Sequence, residues 1–513
     1  MKLGAPTTAL GTAVIAALLA STRPSLAGDP PVEPLTVSRE TTWITEPLRS
    51  DGTPDYPAWL ARRYAADVTS ENNAAIVLQI RLIGRVGDLA PLEKELKTKI
   101  DTAAFAAQHR RALLGPWREA EAPLIAAWLR VNEPWLDLAE QIVRTRSRLW
   151  IAPPTDMGWE TSVPSHLGTR GIVEAFRARA LRRAGMGDGD GARRDLILGL
   201  RLAALLDQGI TFIDRLVGVG LRGIAAQPVV ALANPPPSRV AAAALLADLR
   251  SVPPSSPLDE VLEVTERLQF LAGYLDLYRH ARGSPEMWQE RLSAVLATHD
   301  TANAALGQKA FPPNLRRVPP WAIDWNELLR RVNECWLDPG CEAGFAAARQ
   351  DLESPVFDRL VDQARTDPAA RRRIARAFLT LQTPFSLLRA SIFWNEQRAA
   401  ARTGLVGAAA ALWHVDHGRY PQSAADLASG PASPGFDPAS DHAGYAFRYA
   451  VSSDGRRFVY TGAPLQPGES GIRRFCGDSS GRLAAADDGT AAMVADGLCA
   501  PGPTTVVTRT AAP

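Results

Sequence analysis

The sequence predicts a mainly α-helical protein, in which an irregular multi-helix array of the α-solenoid kind is followed by a small α+β domain. Two observations predict this order. From Pro57 to about Ala400, apolar residues recur every three or four positions, which is the spacing of helices that bury one face. After residue 400, short segments alternate apolar and polar residues, which is typical of strands. We therefore expect a change of architecture near residue 400.

The N-terminus, residues 1–27, has the three parts of a secretory signal peptide. Lys2 supplies the positive charge, residues 9–20 form an uncharged apolar run, and residues 25–27 include the small side chains that precede a cleavage position. An uncleaved membrane anchor is the alternative, because the apolar run carries no charge. We expect cleavage, and hence a bacterial protein exported to the periplasm or to the cell exterior.

The rest of the sequence predicts no transmembrane segment in the mature chain. Its most apolar stretch, residues 199–233, carries charged side chains such as Arg201, Asp214 and Arg222. These belong on a solvated helix face rather than in lipid, because a charge inside a bilayer is costly.

The composition excludes a wholly disordered chain and gives no support to nucleic-acid binding. Of the 513 residues, 46% are hydrophobic, which is enough for two or three domains with cores of their own. The formal net charge is only +2. A basic surface that contacts many phosphates is therefore not predicted.

Between the signal peptide and residue 400, the chain divides into a leader and a helical domain. Residues 28–56 are rich in proline and threonine without steady periodicity, which predicts an extended leader. Residues 57–400 have helical patterning, which pairs of proline or glycine residues interrupt at intervals typical of turns between helices. The sequence predicts one helical domain here, or two subdomains.

Residues 172–206 form the clearest helix pair of this region. Two apolar helical segments flank the glycine-aspartate turn 187–191, and small residues such as Ala180 and Ala203 permit close packing. The segment resembles a tetratricopeptide-type hairpin, although no regular repeat of about 34 residues occurs elsewhere. An irregular helical-repeat-like array is therefore expected, with an ordinary helical bundle as the alternative.

Residues 401–500 change character from helix to strands. A helix through Leu405 and Trp413 is predicted to end at residues 418–421, and the dipeptide Asp454-Gly455 is a hairpin signal. Four strands are predicted around it, at residues 445–449, 457–460, 472–476 and 482–484. The last residues, 501–513, are predicted to form a disordered tail.

These motifs resemble the globular head of type IV pilins and of type II secretion pseudopilins. The shared features are a long helix that ends in Gly418-Arg419-Tyr420-Pro421, a proline-rich loop after Leu427, the hairpin at Asp454-Gly455 and the last strands within residues 471–481. The resemblance covers roughly residues 400–500 and implies the fold of that domain. The family's glycine cleavage site and membrane helix are missing, so polymerisation is not implied. The whole chain is similar to exported bacterial proteins that join a helical region to such a pilin-like end.

The four cysteines fall into two local pairs, Cys335 with Cys341 and Cys476 with Cys499. An even number of cysteines in an exported chain predicts two disulfides, because the compartment is oxidising. A metal site is the alternative, but the spacings differ from those of zinc knuckles and no histidine lies near either pair in sequence.

A transition-metal site is one hypothesis for the end of the helix in residues 401–500. His414 and His417 are three residues apart, and Asp441 or His442 would supply a further ligand. The alternative is an exposed helix end, where histidines interact favourably with the C-terminal dipole.

Calcium is the one cofactor that the resemblance brings into consideration, because some pseudopilin heads bind calcium through their loops. Asp437 and Asp441 would be the ligands here. Asp188 and Asp190 lack the carboxylate spacing of an EF-hand, so the turn that holds them is interpreted as a helix-hairpin turn.

The sequence favours an exported, non-enzymatic binding or scaffold protein of the cell envelope, with protein partners. The resemblance implies a role as an accessory of a type II secretion or pilus-like system. The alternative is a cell-envelope hydrolase of helical-superhelix architecture that acts on a peptidoglycan-type substrate. Such an enzyme would need a buried glutamate as general acid in an aromatic cleft, and no motif identifies a catalytic residue.

Overall fold

The computed structural model has the predicted fold classes: it is mainly helical, with a four-stranded antiparallel sheet near the C-terminus. The residues that the structure describes are 29–78, 82, 85–159, 169–233, 238–256, 258–305, 309–336, 338, 341, 350, 352–354, 356–381, 387–487, 494–495 and 498–499. The predicted signal peptide and tail lie outside these residues. Within the described part of the chain, no helix is both long and apolar enough to span a membrane.

The helices alternate with short connections along most of the chain. In chain order they are α1 (Tyr56–Tyr64), α2 (Ala75–Val77), α3 (Ala90–Leu96), α4 (Thr102–Leu114), α5 (Pro123–Thr145), α6 (Thr169–Gly185), α7 (Gly189–Leu206), α8 (Phe212–Ala226), α9 (Pro228–Ala233), α10 (Arg239–Ser251), α11 (Leu258–Glu260, the π-helical turn Val261–Glu266 and Arg267–Ala281), α12 (Pro285–Ala305), α13 (Trp325–Glu334), α14 (Phe357–Gln363), α15 (Pro368–Phe378), α16 (Leu387–His417) and α17 (Ala424–Ser429). Short 3₁₀ turns lie at Glu119–Glu121, Pro313–Arg317, Pro320–Ala322 and Leu379–Leu381.

Among the described residues, the strands lie after α17. They are β1 (Tyr445–Val451), β2 (Phe458–Pro464), β3 (Arg473–Asp478), β4 (Leu483–Asp487), β5 (Val494–Ala495) and β6 (Leu498–Cys499). The first four form one antiparallel sheet in the order β1-β2-β3-β4, and β5 pairs with β6. Asp454 and Gly455 lie in the turn between β1 and β2, where Gly455 adopts a φ of +67°. The four strands of the larger sheet are therefore those that the alternating pattern predicts.

The chain forms two compact units, and neither is continuous in sequence. Unit 1 is Met1–Asp55, Gly158–Glu160 and Gln269–Thr383, and unit 2 is Tyr56–Met157, Thr161–Leu268 and Pro384–Pro513. The domain ranges 57–400 and 401–500 remain sequence predictions. Helix α16 begins before residue 400 and continues beyond it, so the predicted boundary falls inside this helix.

Unit 1 has a core of aromatic side chains. Trp325 packs against Tyr278 with ring centroids 5.6 Å apart and against Trp288 with centroids 5.9 Å apart. Trp288 also donates its indole N–H to the Val318 carbonyl, so its one polar group is satisfied when buried. These tryptophans pack a core, which is the more common use of aromatic residues at helical spacing.

In unit 2, the turn between α6 and α7 is built as the glycine-aspartate sequence indicates. Gly187 adopts a φ of +84°, which favours glycine, and the Asp188 side chain accepts the Gly191 N–H at 2.9 Å as the N-cap of α7. Gly185 is the last residue of α6 and lies close to Trp117. A β-carbon added at Gly185 would lie 2.3 Å from the Trp117 carbonyl oxygen. The hairpin therefore packs without room for larger residues at this point.

Helix α8 contacts α6, α7 and α16 within unit 2. Two of its glycines face α16. A β-carbon at Gly220 would lie 3.3 Å from the Phe393 ring, and one at Gly223 would lie 1.7 Å from Gln397 Oε1. The absence of side chains at these two positions lets the helices approach closely. Helix α16 also contacts β2 and β3, so it connects the helices of unit 2 to the sheet.

Candidate functional site

The two histidines proposed as metal ligands are engaged with aromatic side chains. The His417 ring stacks on Trp413 with centroids 4.2 Å apart, and its Nδ1 lies 2.9 Å from the Trp413 carbonyl oxygen. The His414 ring lies 4.4 Å from that of Tyr420, and burial lowers the pKa of His414. Among the residues that the structure describes, no three His, Cys, Asp or Glu side chains form a group that could hold a metal ion.

The loop that contains the proposed calcium ligands is organised by an arginine. Asp437 uses a side-chain oxygen to accept the Ala439 N–H, while Arg402 of α16 donates from Nη2 to the carbonyl oxygens of Asp437 and Ser440 at 2.6 and 3.1 Å. The Arg402 guanidinium also lies 4.0 Å from the Phe436 ring centroid. Carbonyl oxygens of this loop thus bind the Arg402 guanidinium group. Calcium binding by the carboxylates of Asp437 and Asp441 stays a prediction.

We expect Arg402→Met to lower the free energy of unfolding by about 2 kcal/mol, because loop carbonyls then lose a charged donor. Urea titration of the two proteins measures this difference. Arg448→Met is the matched control, since Arg448 is exposed on β1 and its loss should change stability by less than about 0.5 kcal/mol. A loss of stability in Arg402→Met that is no larger than the loss in Arg448→Met would contradict the role of Arg402 in this loop.

A second group of charged residues lies where α7 meets α8, and we call it the α8 junction: Asp207, Asp214, Arg215, Arg222 and Glu266. Asp207 is fully buried, 3.3 Å from Arg222 Nε, and it accepts the Ser256 N–H at 3.1 Å. Burial raises the pKa of Asp207 to about 6, although Arg222 opposes the shift.

Arg215 holds the backbone of the same junction. Its Nη1 donates to the carbonyl oxygen of Asp207, and only 5% of the residue is exposed. Burial lowers the pKa of Arg215, and Asp207 opposes that shift. The approach of α8 to this turn depends on Gly218, where a β-carbon would lie 2.5 Å from Asp207 Cα.

Glu266, the last residue of the π-helical turn in α11, reaches the start of α8. Its Oε1 accepts the Phe212 N–H at 2.8 Å, while Asp214 and Thr211 form a capping box at the same helix end. Burial raises the pKa of Glu266 to about 7, and the neighbouring Asp214 adds to the shift. Phe212 belongs to an apolar cluster with Trp394, so the carboxyl group lies beside an aromatic core.

The α8 junction therefore contains a carboxyl group whose pKa burial raises to about 7, a shift of the kind that general acids have. Sequence patterns did not identify Glu266, because it lies in an ordinary-looking helical run and its partner Phe212 is far away in the chain. The available signal was one glutamate in a helical run that also contains Glu260 and Glu263. Such a pattern is too common to single out one residue.

The sheet is fixed to α16 by a buried ion pair. Glu396 on α16 accepts the backbone N–H groups of Ile472 and Arg473, both at 3.0 Å, and the Arg473 Nε at 2.6 Å. The Glu396 side chain is nearly fully buried. This carboxylate thus uses both oxygens to hold the start of β3 against the helix.

Both predicted cysteine pairs lie at disulfide-bonding distance. The sulfur atoms are 2.21 Å apart in Cys335 and Cys341, and 2.10 Å apart in Cys476 and Cys499. The buried Asp478 accepts the Cys499 N–H at 2.8 Å and so aligns the second pair. Paired cysteines are compatible with an exported protein. Comparison with protein-family models, curated protein sequences and solved structures finds no match to this chain.

Proposed function

We propose that this chain is an exported, non-enzymatic binding or scaffold protein of the bacterial cell envelope. The observation that supports the proposal is that buried ion pairs connect separate segments of the chain. Asp195 pairs with Arg179 across the α6–α7 hairpin, and Glu396 pairs with Arg473 between α16 and β3. The charged groups of these pairs are bonded within the protein, which supports a structural role for them over a catalytic one.

The small sheet and α16 provide a second binding element in this proposal. A four-stranded antiparallel sheet on a long helix fits the resemblance to pseudopilin heads, and the buried ion pair of Glu396 keeps the two together. We infer that this end of the protein contacts a component of a type II secretion or pilus-like system. The helical array would then hold a further protein partner.

A pull-down from envelope extracts tests the accessory role. The tagged mature chain serves as bait, and pseudopilins are detected in the eluate by mass spectrometry. We expect Ile472→Asp, at an exposed apolar residue beside β3, to reduce pseudopilin recovery. Ile76→Asp is the matched control, because Ile76 is an exposed apolar residue of the helical region. If the wild-type bait recovers no pseudopilin, the proposed accessory role is wrong.

A cell-envelope hydrolase is the second candidate, and the raised pKa of Glu266 is the observation that favours it. Purified peptidoglycan sacculi incubated with the wild-type protein and with Glu266→Gln would distinguish the two functions. Release of soluble fragments by the wild type alone would support hydrolysis. No release by either protein is the result that we expect for a scaffold.

A further inference from the structure

Residues 29–36, in the predicted leader, are held on unit 1 by side chains of α11, α13 and α15. These eight residues form neither helix nor strand, and each of them is exposed or half-buried. Three of them are prolines, which have no N–H to satisfy and favour an extended backbone. The segment therefore lies on unit 1 in the manner of a bound peptide.

The backbone of this segment is bound by two side chains of unit 1. Asn326 of α13 uses both ends of its amide group: Oδ1 accepts the Thr36 N–H at 2.7 Å, and Nδ2 donates to the Pro34 carbonyl oxygen at 3.1 Å. The Tyr278 hydroxyl group of α11 accepts the Leu35 N–H at 2.9 Å. Three consecutive residues are thus bound through main-chain groups, which is how proteins bind extended peptides of varied sequence.

Two arginines bind the acidic side chains of the same segment. Arg371 of α15 donates from Nη1 to Glu33 Oε1 at 2.6 Å, while its Nε and Nη2 donate to the carbonyl oxygens of Ala364 and Arg365. The Arg371 guanidinium is therefore positioned by unit 1 itself, with one N–H directed at the peptide carboxylate. Arg365 Nη1 lies 2.9 Å from Asp29 Oδ1. Each acidic residue of the segment thus contacts an arginine.

The chain is anchored in unit 1 by the residues that follow this segment. Thr41, Thr42 and Ile44 are buried, and Asn333 Nδ2 donates to the carbonyl oxygens of Glu40 and Thr41, both at 2.9 Å. Residues 29–36 bury little apolar surface by comparison, so their release costs little hydrophobic stabilisation. They can leave unit 1 while the anchor stays in place.

We propose that Tyr278, Asn326, Arg365 and Arg371 form a peptide-binding site, which we call the leader site. Its ligand is an extended segment of a partner protein that contains prolines and acidic residues, and residues 29–36 occupy the site in the absence of that partner. The leader is therefore an intramolecular competitor that weakens partner binding. This inference rests on the proposed binding function and names the chemistry of one partner.

Fluorescence anisotropy with a labelled synthetic peptide of residues 29–42 tests the leader site in the full mature chain. We expect weak binding to the wild type, because its own leader competes. The leader variant, Glu33→Arg with Thr36→Pro, places a cation beside Arg371 and removes the N–H that Asn326 accepts. The peptide should bind this variant at least about tenfold more tightly. Equal affinity for the two proteins would overturn the proposal.

Asn326→Ala, added to the leader variant, should return the peptide to weak binding, because both amide contacts of the site are lost. Asn314→Ala is the matched control. Asn314 is another half-buried asparagine of unit 1, and it donates to the Leu352 carbonyl oxygen at 3.2 Å. The control should leave the affinity of the leader variant unchanged. An equal loss in both proteins would contradict recognition by Asn326.

Hydrogen exchange provides a second measurement, which remains decisive if the leader variant does not fold. Millimolar peptide is added to isotope-labelled wild-type protein, whose fragments differ in mass from the peptide. The displaced leader should then lose protection at the amides of Leu35 and Thr36. Unchanged protection of these amides would show that the peptide does not replace the leader, and the proposal would be wrong.

Two further results identify the source of the ligand and separate this site from the accessory role. Dimers of the wild type that Asn326→Ala abolishes would assign the site to the leader of a second copy, against a partner protein. The pseudopilin pull-down tests Ile472 in unit 2, whereas the leader site lies in unit 1. Either experiment can therefore fail without the other.

Discussion

Asp195→Ala is expected to lower the free energy of unfolding by about 3–5 kcal/mol, the largest effect of a single substitution that we predict. Asp195 on α7 is fully buried and binds Arg179 through two hydrogen bonds, at 3.1 and 2.8 Å. Arg183 adds a third contact at 3.0 Å. Removal of the carboxylate leaves the Arg179 guanidinium buried without its main counter-charge, and this uncompensated charge is the source of the cost. Urea titration followed by circular dichroism measures the change.

Asp190→Ala is the matched control for this prediction. Asp190 lies on the same helix and contacts Arg193 at 3.5 Å, but 78% of its side chain is exposed. Solvent screens such a pair, so its loss should cost less than about 1 kcal/mol. If Asp195→Ala and Asp190→Ala lower stability equally, the buried pair does not hold the hairpin together.

Cys476→Ala with Cys499→Ala is expected to lower the free energy of unfolding by about 3 kcal/mol. The pair closes a loop of 23 residues, and the entropy that this closure removes from the unfolded chain accounts for that value. Both cysteines are buried beside Val459 and Ala484, so alanine avoids the cost of a buried hydroxyl group. Urea titration under non-reducing conditions measures the difference.

The pair Cys335 and Cys341 provides the comparison within the same chain. It closes a loop of only 6 residues, so its removal should cost about 2 kcal/mol by the same entropy argument. The order of the two effects is the informative result. A larger loss from the short loop would contradict the entropic explanation.

Local chemistry explains which parts of the fold the sequence could predict. The hairpin between β1 and β2 follows from alternating residues around Asp454 and Gly455, and the turn between α6 and α7 follows from Gly187 and Asp188. Each of these depends on residues that are neighbours in the chain. The cysteine pairs were predictable for the same reason, since each pair is local in sequence.

The candidate site was not predictable, because its contacts join distant segments. The Glu266 carboxyl group accepts the Phe212 N–H, and the Asp207 carboxyl group accepts the Ser256 N–H. Neither contact leaves a periodic pattern in the sequence. The contact between Arg402 on α16 and the Asp437 carbonyl oxygen is another contact between distant segments. A contact with a side chain of a distant element leaves no motif in the sequence, so it could not be predicted.

The discontinuity of unit 2 determines the order in which a nascent chain can complete it. Helix α8 is synthesised long before α16, so the surface around Gly220 and Gly223 stays uncovered until Phe393 and Gln397 follow. Contacts between α8 and α16 form late, because the long segment between them must first be closed into a loop. The entropy cost of that closure arises before packing can stabilise the contact. Truncated products that end before α16 would therefore expose this apolar surface and be prone to aggregation.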